Sequence, residues 1–277
     1  MSRYCLQNID KEKMNYINSN TSNDTRIILK SYCRIAGGRA TLNGELFFES
    51  DCSSEVDANL TSNVDNKVTP EEKLRTAHEF FSAVYERLGV DYRKFYKMDA
   101  LSKLGFLASE LLLAGTDREI PKEDMGIALF NRSSSLETDS RYHKTICDKD
   151  DFFPSPAEFV YTLPNIVTGE IAIRNKIYGE TAFYVMSDFQ ADMLCEVIEN
   201  MINFAGMKRV LAGWTEVDAF TGEYSGFMVL CEVGIEANSN NSNEARCDAK
   251  SMPCEIADNL YSSILNPDSL DSLYIKY

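Results

Sequence analysis

Residues 179–214 constrain this chain more than any other stretch. They read GETAFYVMSDFQADMLCEVIENMINFAGMKRVLAGW. The run Ala182, Phe183, Tyr184, Val185, Met186 is short, apolar and aromatic, the pattern of a buried strand. Ser187 stands three residues before Gln190, a capping-box spacing that opens a helix. Phe189, Met193, Val197, Met201 and Phe204 then recur at helical spacing, with Leu194, Ile198 and Ile202 beside them. That stripe is too wide for a solvated surface helix, so the helix is expected to be largely buried. Gly206 supplies a stop, Lys208 and Arg209 follow, and residues 210–214 begin a second strand. The unit is strand, sharp turn, buried helix, strand.

A helix that starts on such a turn presents free N–H groups and partial positive charge, which is a favoured place for a nucleophile. The residues at this turn are Met186, Ser187, Asp188 and Phe189, and none is a cysteine. Ser187 already has a structural use as a cap, which outweighs its reading as a nucleophile. Asp188, expected in the first helical turn, would be stabilised as an anion by roughly 0.3–1 kcal/mol through the helix dipole. A carboxylate held in that form serves structure better than it serves as a general base.

Upstream, FPSPAEFVYTLPNIVTGEIAIRNKIYGET carries Pro164-Asn165, Gly169 and Gly179, and downstream LAGW closes the second strand. Together these pieces resemble the N-terminal half of a β-ketoacyl synthase, a condensing enzyme of the thiolase superfamily. That family has a Pro-Asn, a Gly before an apolar strand, and a Gly before the strand that leads to an active cysteine. An Ala-Gly-Gly ends its next strand. Without gaps, Asp188 falls on the cysteine position and Ala212-Gly213-Trp214 on Ala-Gly-Gly. The resemblance covers about residues 25–235. It implies a thiolase-like layered α/β fold, one half only, with a central mixed sheet and a buried elbow helix. Residues 1–24 then form a flexible lead-in, and 236–277 a polar tail with a short helix at 256–265.

The rest of the chain is consistent with such a domain. Its 277 residues, 44% hydrophobic, suffice for a packed core. No run of ~18 apolar residues indicates a membrane span. The N-terminus has no apolar signal region, so a cytoplasmic location is expected and the Asn-x-Ser/Thr matches at Asn20, Asn23, Asn59 and Asn131 are fortuitous. The eight cysteines form no CxxC pair, which argues against a thiolate metal site. They are read as free thiols, with Cys195 an inert packing residue. Neither metal nor cofactor is expected. A net charge of −15 excludes a nucleic-acid partner, since phosphate contact needs a basic face.

In order, 25–36 reads as a first strand, with 44–49 pairing against it, and 50–70 as a loop. Residues 71–88 form an amphipathic helix ended by Gly89. Residues 91–114 form a core helix; Lys97, Met98, Ser102 and Lys103 resemble the family's entry to a helix at this point. Residues 125–131 are a buried strand. Residues 132–139 are a Ser-rich turn that lacks the glycines of a phosphate cradle. Residues 226–233 are a last strand. No internal repeat is visible, as expected for one half rather than two.

The family's chemistry uses the cysteine with two histidines from its C-terminal half. Here His78, on the helix 71–88, and His143, in a polar loop, both precede the elbow. The resemblance therefore implies a catalytically inactive subunit of the chain-length-factor class. It would pair with a full-length ketosynthase as a heterodimer, or with itself as a homodimer, in polyketide, aryl-polyene or fatty-acid-type synthesis. An acyl carrier protein would engage only indirectly, through a more basic partner. The family pairs the strand before the elbow antiparallel across the dimer two-fold, which assigns Ala182, Phe183, Tyr184, Val185 and Met186 to the interface. Its loop before Pro164 and Asn165 lies near the partner's acyl tunnel, with Phe159 and Tyr161 as chain-limiting residues. Two other readings stand beside this: an active synthase or Ser187-based acyl hydrolase using the elbow, and a stand-alone acyl-binding homodimer.

Overall fold

A computed structural model describes residues 27–50 and 68–234. The expected flexible lead-in, most of the 50–70 loop, the 236–277 tail with its helix, and Cys5, Cys52, Cys247 and Cys254 lie outside the described residues. Seven strands form one mixed sheet: β1 (Ile27–Ala36), β2 (Arg39–Leu42), β3 (Glu45–Glu49), β4 (Met125–Asn131), β5 (Thr181–Val185), β6 (Arg209–Val217) and β7 (Tyr224–Val233). Their order is β3-β2-β1-β7-β6-β4-β5. β4 runs parallel to both β5 and β6, whereas β7 is antiparallel to β6 and β1. The fold is thiolase-like α/β, as the resemblance implied.

Hydrophobic pattern sets the place of each strand. All seven residues of β4 are buried. This is the signature of a parallel strand covered on both faces, where apolar residues run on without alternation. The expected pairing of 44–49 with the first strand is corrected. Residues 39–42 form a strand of their own between two tight turns, so β3 pairs with β2 and β2 with β1. The second turn is Asn43-Gly44, both at positive φ, which matches the twist of a two-residue hairpin.

Helices cover both faces. α1 (Pro70–Leu88) opens with the capping box Thr69/Glu72 and ends at Gly89 in the left-handed conformation. The expected helix over 91–114 is split. A 3-10 turn (Arg93–Lys97) comes first, then α2 (Ala100–Leu112), capped by Asp99, whose carboxylate accepts from the Ser102 N–H at 2.9 Å. Every residue of α2 is buried. It lies across β1, β7 and β6, and α1 and α5 (Ile166–Asn175) pack on it. Each buried leucine there is worth about 1.5–3 kcal/mol relative to exposure. α5 approaches closely at Gly105, where a Cβ would stand 2.4 Å from Val167 Cγ2. The opposite face carries α6 (Ala191–Asn203) and a second apolar cluster built from Leu194, Ile198, Met201, Val210 and Val229. The remaining helices, α3 (Leu136–Lys144) and α4 (Pro156–Val160), lie in the connection between β4 and β5.

Two expectations fail in that connection. The apolar residues after Gly169 form helix α5, not a strand. Val167, Glu170 and Ile171 are buried at helical spacing, so packing on α2 selects the 3.6-residue period. His143 belongs to the last turn of α3 rather than to a loop.

Candidate functional site

β5 ends the sheet. Among the described residues it pairs only with β4, placing Phe183 beside Leu129 and Tyr184 beside Phe130. The expected buried strand is therefore an edge: Ala182, Phe183 and Tyr184 are half-buried and Val185 is 54% exposed. Met186 follows the strand and donates its N–H to the Asn131 carbonyl at 2.9 Å, after which the chain leaves the sheet. A glycine is required just before β5. A Cβ on Gly179 would fall 2.2 Å from the Met125 carbonyl oxygen.

The elbow is longer than its sequence suggested. α6 begins at Ala191, and its cap is Gln190, in an extended conformation with no side-chain capping bond. The Ser187/Gln190 capping box is thus corrected, and so is the place of Asp188, which precedes the helix; Asp192 is the acid of the first turn. The physical cause is Phe189. Its ring packs edge-on against Trp214 and Phe227, at 6.0 and 6.1 Å between centroids, and holds the chain extended past the strand. Ser187 and Asp188 are exposed, and no hydrogen bond joins either to a histidine among the described residues.

α6 buries a broad face, Leu194, Cys195, Val197, Ile198, Met201 and Ile202 among it. The Cys195 thiol is pushed up to about 11 by burial, then by Glu199 and Asp192. Such a thiol is a poor nucleophile. Cys33 and Cys231 are buried likewise and pushed up to about 12. Among the described residues no group of three His, Cys, Asp or Glu side chains is placed to hold a metal ion.

Sequence reasoning missed the residues that organise the strand ends around the elbow. Glu216, 4% exposed at the end of β6, accepts the N–H groups of Arg132 at 2.7 Å and Ser133 at 3.3 Å. Arg132 in turn pairs with buried Asp218 at 2.8 Å. The Asn131 side chain bonds Ser134 in both directions, with Ser134 in the left-handed region at φ 54°. The N–H groups of Arg132, Ser133 and Ser134 are therefore already occupied. The signal was present as two acids, Glu216 and Asp218, at the end of an apolar strand.

The segment that the resemblance assigns to binding is divided. Phe159, on α4, is 53% exposed and touches Tyr142 at 5.5 Å between ring centroids. Tyr161 turns inward and donates its hydroxyl to Glu170 Oε1 at 3.0 Å. Pro164 precedes Asn165, which is the cap of α5; the Asn165 carbonyl accepts from the Thr168 hydroxyl at 2.7 Å. His78 is half-buried, with Nδ1 3.2 Å from Lys103 Nζ. Burial first, then Lys103 and Arg141, lowers its pKa to about 4, so it is neutral at physiological pH. A cleft of about 320 Å³ opens beside the β5 edge, between Tyr184 and the C-terminal turns of α6 at Met201 and Phe204.

No protein-family model and no curated protein matches the chain. Solved structures do. The ishigamide ketosynthase/chain length factor superposes with a TM-score of 0.51 and 14% identity, covering 78% of this chain and 64% of that one. A ketosynthase in complex with its chain length factor from Xenorhabdus doucetiae superposes at 0.44 with 15% identity, covering 77% and 81%. A β-ketoacyl synthase from Burkholderia phymatum STM815 superposes at 0.47 with 12% identity, covering 85% and 71%. The chain spans less than two thirds of the ishigamide protein's length. At these identities the likeness is one of fold.

Proposed function

We propose that this chain is a non-catalytic, chain-length-factor-like subunit that pairs with a full-length β-ketoacyl synthase in polyketide, aryl-polyene or fatty-acid-type synthesis. The elbow carries the reading. The strand–elbow–helix frame is present, and an exposed carboxylate, Asp188, stands where the resemblance puts the nucleophile. A carboxylate cannot form the acyl thioester that condensation needs, and the nearby thiol, Cys195, is buried in α6. The fold shared with the ishigamide ketosynthase/chain length factor supports the same class.

The open edge of β5 is the surface assigned to the partner. A row of unpaired N–H and C=O groups invites another strand, and the adjoining cleft with exposed Phe204 extends the apolar contact. Phe159 is the residue assigned to the partner's acyl tunnel, where its ring limits chain length. A carrier protein, acidic as a class, would be attracted by the partner's charge rather than by a chain of net charge −15.

Two measurements test the reading. Intact-protein mass spectrometry after incubation with acyl and malonyl thioesters is expected to show no covalent adduct; a stoichiometric adduct on Ser187 or Cys195 would overturn it. Co-expression with candidate full-length ketosynthases is expected to yield a stable pair with one of them on size-exclusion chromatography. A chain that remains a homodimer with all of them supports the stand-alone acyl-binding reading instead.

A further inference from the structure

α4 is a five-residue helix with no buried residue of its own. Burial on the core cannot hold it, and so short a helix is not stable by itself. It nevertheless carries the exposed apolar side chains of Phe159 and Val160, and Leu163 just beyond it is exposed as well. On the helix itself Phe159 touches Tyr142 and Glu158 meets Arg141 at 3.7 Å, but none of these residues is buried; the buried anchor lies just beyond its end. Tyr161, 8% exposed, donates its hydroxyl to Glu170 Oε1 at 3.0 Å, and Glu170 Oε2 meets Lys94 Nζ at 2.8 Å. Glu170 belongs to α5 and Lys94 to the 3-10 turn, both seated on the α2 core. Ser135 donates its hydroxyl to the Thr162 carbonyl, and the Thr162 hydroxyl returns to the Phe159 carbonyl at 2.7 Å. Burial, then Glu170, raises the Tyr161 hydroxyl above its ordinary range, so it remains a donor at any physiological pH.

We propose that the Tyr161–Glu170–Lys94 relay, buried at Tyr161 and Glu170 and exposed at Lys94, is the mount that sets the position of Phe159, which makes Tyr161 and Glu170 positioning residues for chain length. This rests on the reading of Phe159 as the chain-length stop. A stop defines one product length only if it stays at one depth. A five-residue helix on a solvated surface holds that depth through a charge-assisted bond to a rigid layer, which is stronger than a neutral one.

Hydrogen exchange on the purified chain tests the mount without a partner. The amides of Phe159, Tyr161 and Thr162 are bonded within the segment and report on it. Tyr161→Phe is expected to speed their exchange about tenfold or more while β4 and α2 are unchanged. Glu170→Gln keeps an acceptor for Tyr161 and is expected to have a smaller effect. Unchanged exchange at these amides overturns the proposal. Where Tyr161→Phe does not fold, Lys94→Met, which removes only the outer cation, decides in the same way. Product length from a co-purified ketosynthase then separates the two ideas. Phe159→Ala is expected to lengthen products and Tyr161→Phe to broaden their distribution. A change with Phe159→Ala alone refutes the positioning role and leaves the stop standing. No change with Phe159→Ala refutes the chain-length reading itself, and the exchange result then describes a mount with another purpose.

Discussion

β4 and β5 are parallel neighbours in one sheet and read alike in sequence, MGIALFN beside TAFYV. Yet every residue of β4 is buried and none of β5 is. β4 has a strand on each side, α5 on one face and α6 on the other; among the described residues β5 has one neighbour and an open edge. The difference lies in position, not composition. An apolar strand in the centre stabilises the fold, whereas the same kind of strand at the margin is available to something else. The helices repeat the contrast: α2 is buried throughout, while α4 buries nothing and is held by side chains that follow it.

Four substitutions probe this contrast, in order of expected effect. Leu129→Ala, at the fully buried centre of β4, should cost about 2–5 kcal/mol in denaturant unfolding. A loss below about 1 kcal/mol would mean that the centre is not close-packed. Phe183→Ala, paired with Leu129 but on the half-buried margin, should cost about 1–2 kcal/mol; a cost equal to that of Leu129→Ala would erase the distinction.

The third concerns pH. With a folded pKa near 4 and an ordinary value of 6.5, His78 binds fewer protons in the folded chain than in the unfolded one between those limits. Its contribution therefore falls as pH drops from 6.5 to 4 and is constant above 6.5. The Asp99 and Glu137 carboxyls, both raised first by burial, act in the opposite sense in their own range and remain in a His78→Gln variant. The difference between wild type and variant thus isolates the histidine. We expect it to change by about 1–2 kcal/mol between pH 6.5 and 4.5, after discounting for the partial exposure of the ring. A flat difference would show that the imidazole is solvated. The smallest effect on stability is expected of Val185→Lys on the open edge, within about 0.5 kcal/mol, together with loss of co-purification with a ketosynthase. If the variant still elutes as the complex, β5 is not the interface.

Much of the frame was legible from periodicity. Residues 125–131 form a strand to the residue, 71–88 form a helix within one residue, and Gly89 ends it. Local patterns of period 2 and 3.6 with strong caps carry that information because they depend on neighbours in sequence. The capping box at Ser187 was a local pattern that tertiary packing overrode, since Phe189 gains more by wedging against Trp214 and Phe227 than the helix gains by starting early. The strand implied after Gly169 gave way to α5 for the same kind of reason, contact with Gly105 and the rest of α2.

The sequence by itself therefore determined which segments are apolar, where most elements begin and end, and that the elbow carries no thiol. Only the tertiary structure decided that β5 is an edge, that Tyr161 turns inward while Phe159 points out, and that Glu216 and Asp218 occupy the turn after β4. Each of these depends on which elements become neighbours across tens of residues, and burial and hydrogen-bond pairing are properties of those neighbours rather than of the local chain.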